Sequence, residues 1–75
     1  MENYITINPN ILVGKPIIRG TRIPVSLIIN LFANGYTTKR IIEAYPVLSE
    51  EAIKAALEYA QDRLEREEIH LTEST

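Results

Sequence analysis

The sequence predicts a mainly α-helical domain entered through a short N-terminal β-ribbon, and three observations predict it. Tyr4-Ile5-Thr6-Ile7 alternates polar and apolar residues and stops at Asn8-Pro9-Asn10, the pattern of a strand followed by a turn. From Val25 onward, apolar residues recur at helical spacing in three successive segments. The breaks between those segments fall at Gly35 and Pro46, which end helices.

Taken in order, Ile11-Leu12-Val13 is too short to assign, and Gly14 marks a turn before Pro16 opens a second strand. Within Pro16 to Ile23, strict alternation would put Arg19 and Arg22 on opposite faces and so bury a charge. A bulge or tight bend at Gly20-Thr21 turns Ile18 and Ile23 inward and both arginines outward, and glycine makes such a bend inexpensive. Pro24 suits the first turn of helix one, Val25 to Asn34, whose stripe is Leu27, Ile28, Leu31 and Phe32. Thr37 or Thr38 caps helix two, with Ile41, Ile42 and Tyr45 inward. Ser49 caps helix three, where Glu50 and Glu51 complement the helix dipole. Ile53, Ala56, Leu57, Ala60 and Leu64 carry that helix to about Arg66. The expected organisation is one domain over residues 1–68 and a frayed tail over 69–75, in which Ile69 and Leu71 can dock on a partner. The last two helices, joined through Pro46-Val47-Leu48, have the length and connection of a helix-turn-helix.

Composition bounds the function. At 75 residues the chain buries only about 60% of the surface that its unfolded form exposes, so a partner subunit would help it. The absence of cysteine removes thiolate metal sites and thiol nucleophiles and suits a reducing cytoplasm. No stretch has the length and apolarity of a membrane span, and none reads as a signal peptide. The net charge of −2 conceals an asymmetry. Up to Ile42 the cations Lys15, Arg19, Arg22, Lys39 and Arg40 face Glu2 alone; from Glu43 onward nine carboxylates outnumber Lys54, Arg63 and Arg66. A basic front half suits an anionic partner, although the same charges could serve solubility alone.

GKPIIRGTRIPV, from Gly14 to Val25, together with the ANGYT turn after helix one and YPVLSEEAIKAALEYA, resembles the small prokaryotic family called domain of unknown function 433. The resemblance runs from about Tyr4 to Asp62. It implies a homeodomain-like or winged-helix-like helix-turn-helix fold and an antitoxin-like role beside a PIN-like toxin, with operator DNA as a second partner. One departure bears on that: where a recognition helix presents Arg, Lys, Asn or Gln, this chain has Glu50 and Glu51, which repel phosphate. Lys15, Arg19 and Arg22 on the ribbon, with Lys39 and Arg40 at the start of helix two, are therefore the expected nucleic-acid contacts.

Each candidate has a structural alternative. Arg19 and Arg22 could pair with acids of helix three and lock the ribbon to it; Lys15, Lys39 and Arg40 could be ordinary solvated cations. Gly14-Lys15 lacks the glycine spacing and following hydroxyl of a phosphate loop. His70 has no soft co-ligand, so no metal or other cofactor is expected. Tyr45 and Tyr59 fit core wedges better than base-stacking platforms. Glu58, Asp62 and Glu65 lie at i, i+4 and i+7 on a face that would be charged in any case, which leaves catalysis without support. The expected protein is a cytoplasmic, non-enzymatic, toxin-binding regulator, homodimeric through the ribbon edge. The alternative is a dimerising module with no nucleic-acid role.

Overall fold

The computed structural model describes the chain over residues 3–74, and the side chains of residues 3–66. Strand β1 (Ile5–Ile7) pairs antiparallel with β2 (Pro16–Ile18) in the register Ile5 to Ile18, Thr6 to Ile17 and Ile7 to Pro16. Helices α1 (Val25–Ala33), α2 (Thr38–Ala44) and α3 (Glu50–Ser74) follow. This is the predicted architecture of a short ribbon and three helices.

The helix boundaries follow from local chemistry. Pro24 stands one position earlier than predicted: it is the N-cap of α1, with φ −76° and ψ 150°, and its carbonyl accepts from the Leu27 amide at 3.1 Å. The same residue bridges to Ile17, so the ribbon runs directly into the helix. At the other end, Tyr36 N–H donates to the Leu31 carbonyl and Gly35 N–H to Phe32, a Schellman closure that Gly35 permits at φ 91°. Thr37 Oγ1 accepts from the Arg40 amide and Ser49 Oγ from the Ala52 amide, both at 3.1 Å, capping α2 and α3 as predicted.

Ile18, Val25, Ile28, Ile41, Leu48, Ala52, Ile53 and Ala56 form the buried core, drawn from the ribbon and all three helices. Ile23 joins its rim and Arg19 and Arg22 face out, as the bend at Gly20 requires. Ile17 is buried as well, on the other face of the ribbon, so β2 is covered on both sides.

Helix α3 departs from the predicted end. It continues to Ser74 rather than stopping near Arg66, and the sequence supplies the reason, since no glycine or proline follows Pro46. At 1.5 Å per residue its 25 residues span about 37 Å, against about 13 Å for the nine of α1. The second half of α3 therefore projects past the helix that covers its first half, and Gln61 to Arg66 are all exposed.

Candidate functional site

The site predicted from sequence is built on the turn after β2. The Thr21 amide donates to the Ile18 carbonyl at 3.0 Å, closing a β-turn over residues 18–21 in which Gly20 takes φ 81°. Thr21 Oγ1 donates to the same Ile18 carbonyl at 2.8 Å and accepts from the Ile23 amide at 2.9 Å. Ile18 N–H then donates to the Ile23 carbonyl at 2.9 Å, which lays the returning chain beside β2. Gly20, Thr21, Ile23, Pro24 and Val25 each hold the turn or the start of α1. Arg22 alone of this hexapeptide directs an exposed side chain outward.

Arg19 shares that exposure, while its amide donates to the Tyr4 carbonyl at 2.8 Å and fixes the backbone. Among the described residues neither arginine is in an ion pair; the pair present, Arg66 with Asp62 at 3.4 Å, is exposed on α3. Among the described residues, no ion pair of these two side chains ties the ribbon to the acidic helix.

The five predicted cations do not converge on one hollow. Arg22 lines a shallow depression with Thr6, Asn8, Ile11, Ile17, Gly20 and Thr21. Lys15 lines a different one, between the ribbon, α1 and α3. Lys39 and Arg40 occupy the first turn of α2, and the Arg40 guanidinium lies 4.4 Å from the centroid of the Tyr36 ring, a cation–π contact. Arg40 is thus partly engaged, whereas the guanidinium forks of Arg19 and Arg22 are exposed and, among the described residues, in no ion pair or cation–π contact.

Sequence reasoning missed the groove that Lys15 borders. Its volume is about 570 Å³, and its walls are Val25, Ile29 and Ala33 of α1 and Tyr59, Ala60 and Leu64 of α3. Arg63 closes one side: its Nη2 donates to the Tyr59 hydroxyl at 2.7 Å and its guanidinium lies 4.9 Å from that ring's centroid. The i, i+4 spacing of Tyr59 and Arg63 was a signal for this contact. All four tyrosines pack against the core rim, which agrees with a wedge role for Tyr45 and Tyr59.

Among the described residues no group of three or more His, Asp or Glu is placed to hold a metal ion, and no helix is long and apolar enough to cross a membrane. The predicted roles of the Ile69, His70 and Leu71 side chains lie outside the described residues.

A two-stranded ribbon leading into three helices, with exposed arginines at the junction, defines a small, mainly α domain. Within that class the chain belongs to the family described as Protein of unknown function (DUF433), matched over residues 5–60. It is 42% identical over 60 residues to the Uncharacterized protein y4eO of Sinorhizobium fredii (strain NBRC 101917 / NGR234). That match takes in 80% of this chain but 27% of the relative, so the chain spans about a quarter of that protein's length. The crystal structure of a DUF433 member from Anabaena variabilis ATCC 29413 superposes with a TM-score of 0.81 at 31% identity, covering 95% of this chain and 70% of that one.

Proposed function

We propose that the chain is a non-enzymatic, antitoxin-like regulator of the prokaryotic cytoplasm. It binds a PIN-like toxin through the acidic face of α3 and contacts operator DNA through the ribbon turn. The observation that carries the DNA half is the contrast inside Gly20–Val25: every other residue is committed to the turn or helix, and Arg22, with neighbouring Arg19, is exposed and without an ion pair among the described residues. Two guanidinium groups on a backbone fixed by five hydrogen bonds meet phosphate with no further ordering of that backbone. Glu50 and Glu51 in the first turn of α3 oppose the alternative in which that helix enters the major groove. The toxin half rests on the excess of carboxylates on α3, which suits a basic partner surface.

The test is binding of the chain's own promoter fragment as a function of salt, with and without the partner encoded beside it. Affinity should fall steeply as salt rises. Arg19→Ala with Arg22→Ala should reduce the slope of log K against log salt by about 2 per subunit, one unit for each phosphate that is no longer neutralised. No retardation of the promoter at low salt, in either state, would favour a dimerising module with no nucleic-acid role.

A further inference from the structure

The hollow that Arg22 borders, about 430 Å³ in volume, has an apolar floor and a rim of donors. Residues directly opposite in an antiparallel pair point to the same face, so Thr6 and Ile17 share the face of the ribbon turned away from the core. Ile17 is buried at the bottom of the hollow, and half-buried Ile11 forms a wall. Three donors stand around them. The Thr6 hydroxyl makes no hydrogen bond to another described residue. Asn8 Oδ1 accepts from the Asn10 amide at 2.8 Å, which commits the oxygen of that side chain and leaves its NH₂ group without a described acceptor. The Arg22 guanidinium is exposed, and among the described residues it is in no ion pair or cation–π contact. Thr21 differs, because its hydroxyl is already used on Ile18 and Ile23. Among the described residues no carboxylate lines the hollow, and neither does Arg19.

We propose that this hollow seats one sugar–phosphate unit of a DNA strand, with Thr6 and Asn8 as ligands of the same phosphate that Arg22 neutralises. The proposal rests on the reading of the ribbon turn as a DNA contact and adds to it which groups act together. A phosphodiester carries one charge and two unesterified oxygens. The guanidinium fork takes both oxygens, and their remaining lone pairs accept from the Thr6 hydroxyl and the Asn8 NH₂ group. One cation thus matches one charge, and the neutral donors complete the seat without adding to it. The apolar wall selects the source of the phosphate. Inorganic phosphate has nothing to set against Ile11, whereas the deoxyribose carbons of a diester do. Arg19, exposed but outside the hollow, meets a different phosphate.

Fluorescence anisotropy of a random-sequence DNA duplex at low salt, beside the promoter duplex, tests the seat, because phosphate contacts do not read sequence. Thr6→Val keeps the β-branched shape and should weaken binding about 3- to 10-fold with the salt slope unchanged; Thr6→Ser should restore it. Asn8→Asp keeps the acceptor for the Asn10 amide but sets a carboxylate beside the phosphate, and should weaken binding more than about 10-fold. Arg22→Ala should lower the slope by about 1. In the Arg22→Ala background Thr6→Val should have little further effect, whereas in the Arg19→Ala background its effect should be intact. Unchanged far-ultraviolet circular dichroism shows that each variant is folded. Full binding by Thr6→Val and Asn8→Asp, with the promoter still bound, removes the seat and leaves the DNA reading standing. Coupling of Thr6 to Arg22 on the random duplex, with no preference for the promoter, keeps the seat and removes the operator. No binding of either duplex at low salt, with or without the partner, overturns both. Displacement of the duplex by inorganic phosphate beyond that by chloride at equal ionic strength, abolished in Arg22→Ala, would make the hollow a site for the free anion and overturn the strand as its occupant.

Discussion

The turn from Gly20 to Val25 and the projecting half of α3 are opposites in how they use their residues. In the turn, five of six residues are tied down by a positive φ, by hydrogen bonds at 2.8–3.1 Å or by burial, and one arginine is left over. In α3 from Gln61 to Arg66 the backbone supplies the regular structure and the side chains are open, Leu64 included. The difference separates what a motif does for the fold from what it leaves for function. GTRIPV is largely a folding device, and its functional content narrows to Arg22 and the adjacent Arg19. The helix, whose stripe reads as core, holds an apolar surface that its own chain does not cover.

The sharpest way to break the comparison is on one helix. Ile53 is 1% exposed and Leu64 61%, although both belong to the same periodic stripe. Ile53→Ala should cost about 2–5 kcal/mol, enough to unfold much of a domain this small, while Leu64→Ala should cost less than about 0.5 kcal/mol in the monomer. Urea denaturation at low protein concentration measures both.

The turn is tested next. Thr21→Val preserves shape but removes the bond donated to the Ile18 carbonyl and leaves the Ile23 amide without its acceptor, for a loss of about 2 kcal/mol. Thr21→Ser keeps both bonds and should recover most of that. Gly20→Ala should cost about 1 kcal/mol: a Cβ there meets nothing within 4 Å, so the φ of 81° is the whole penalty. Equal effects of Gly20→Ala and Thr21→Val would mean that the turn is held by backbone conformation more than by the threonine.

The bend at Gly20 was legible because period-two alternation and two arginines cannot both be satisfied in a straight strand. The three helices were legible because Gly35, Thr37, Pro46 and Ser49 punctuate them. Ile17 was not, since alternation assumes one covered face, and here Ile17 is buried on the other, beside Thr6, Asn8 and Ile11. The exposed strip on α3 was not legible either. Leu57 and Leu64 keep the same period as Ile53, and periodicity cannot report that they border open hollows beside Ile29 of α1 instead of the closed core. Lys15 and Arg22 were grouped by their nearness in sequence, and the turn between β2 and α1 opens them onto different hollows.

A small effect of opposite sign is expected just before the ribbon's second strand, where sequence preference and backbone disagree. Leu12, Val13 and Gly14 make a left-handed turn with φ of 51°, 56° and 78°, closed by the Gly14 amide on the Ile11 carbonyl at 3.1 Å and the Lys15 amide on Leu12 at 3.2 Å. Gly14 adopts that conformation freely; a β-branched residue does not, at a cost of about 1–2 kcal/mol. Val13 recovers little by burial, being 94% exposed. Val13→Asn should therefore stabilise the chain by about 0.5–1 kcal/mol, because asparagine tolerates a positive φ and the valine side chain packs on almost nothing. Val13→Gly should gain less, since glycine adds entropy to the unfolded chain. A loss of stability in Val13→Asn would show that the valine side chain is in contact with something that offsets its strain, and a loss that appears only as protein concentration rises would place that contact between copies.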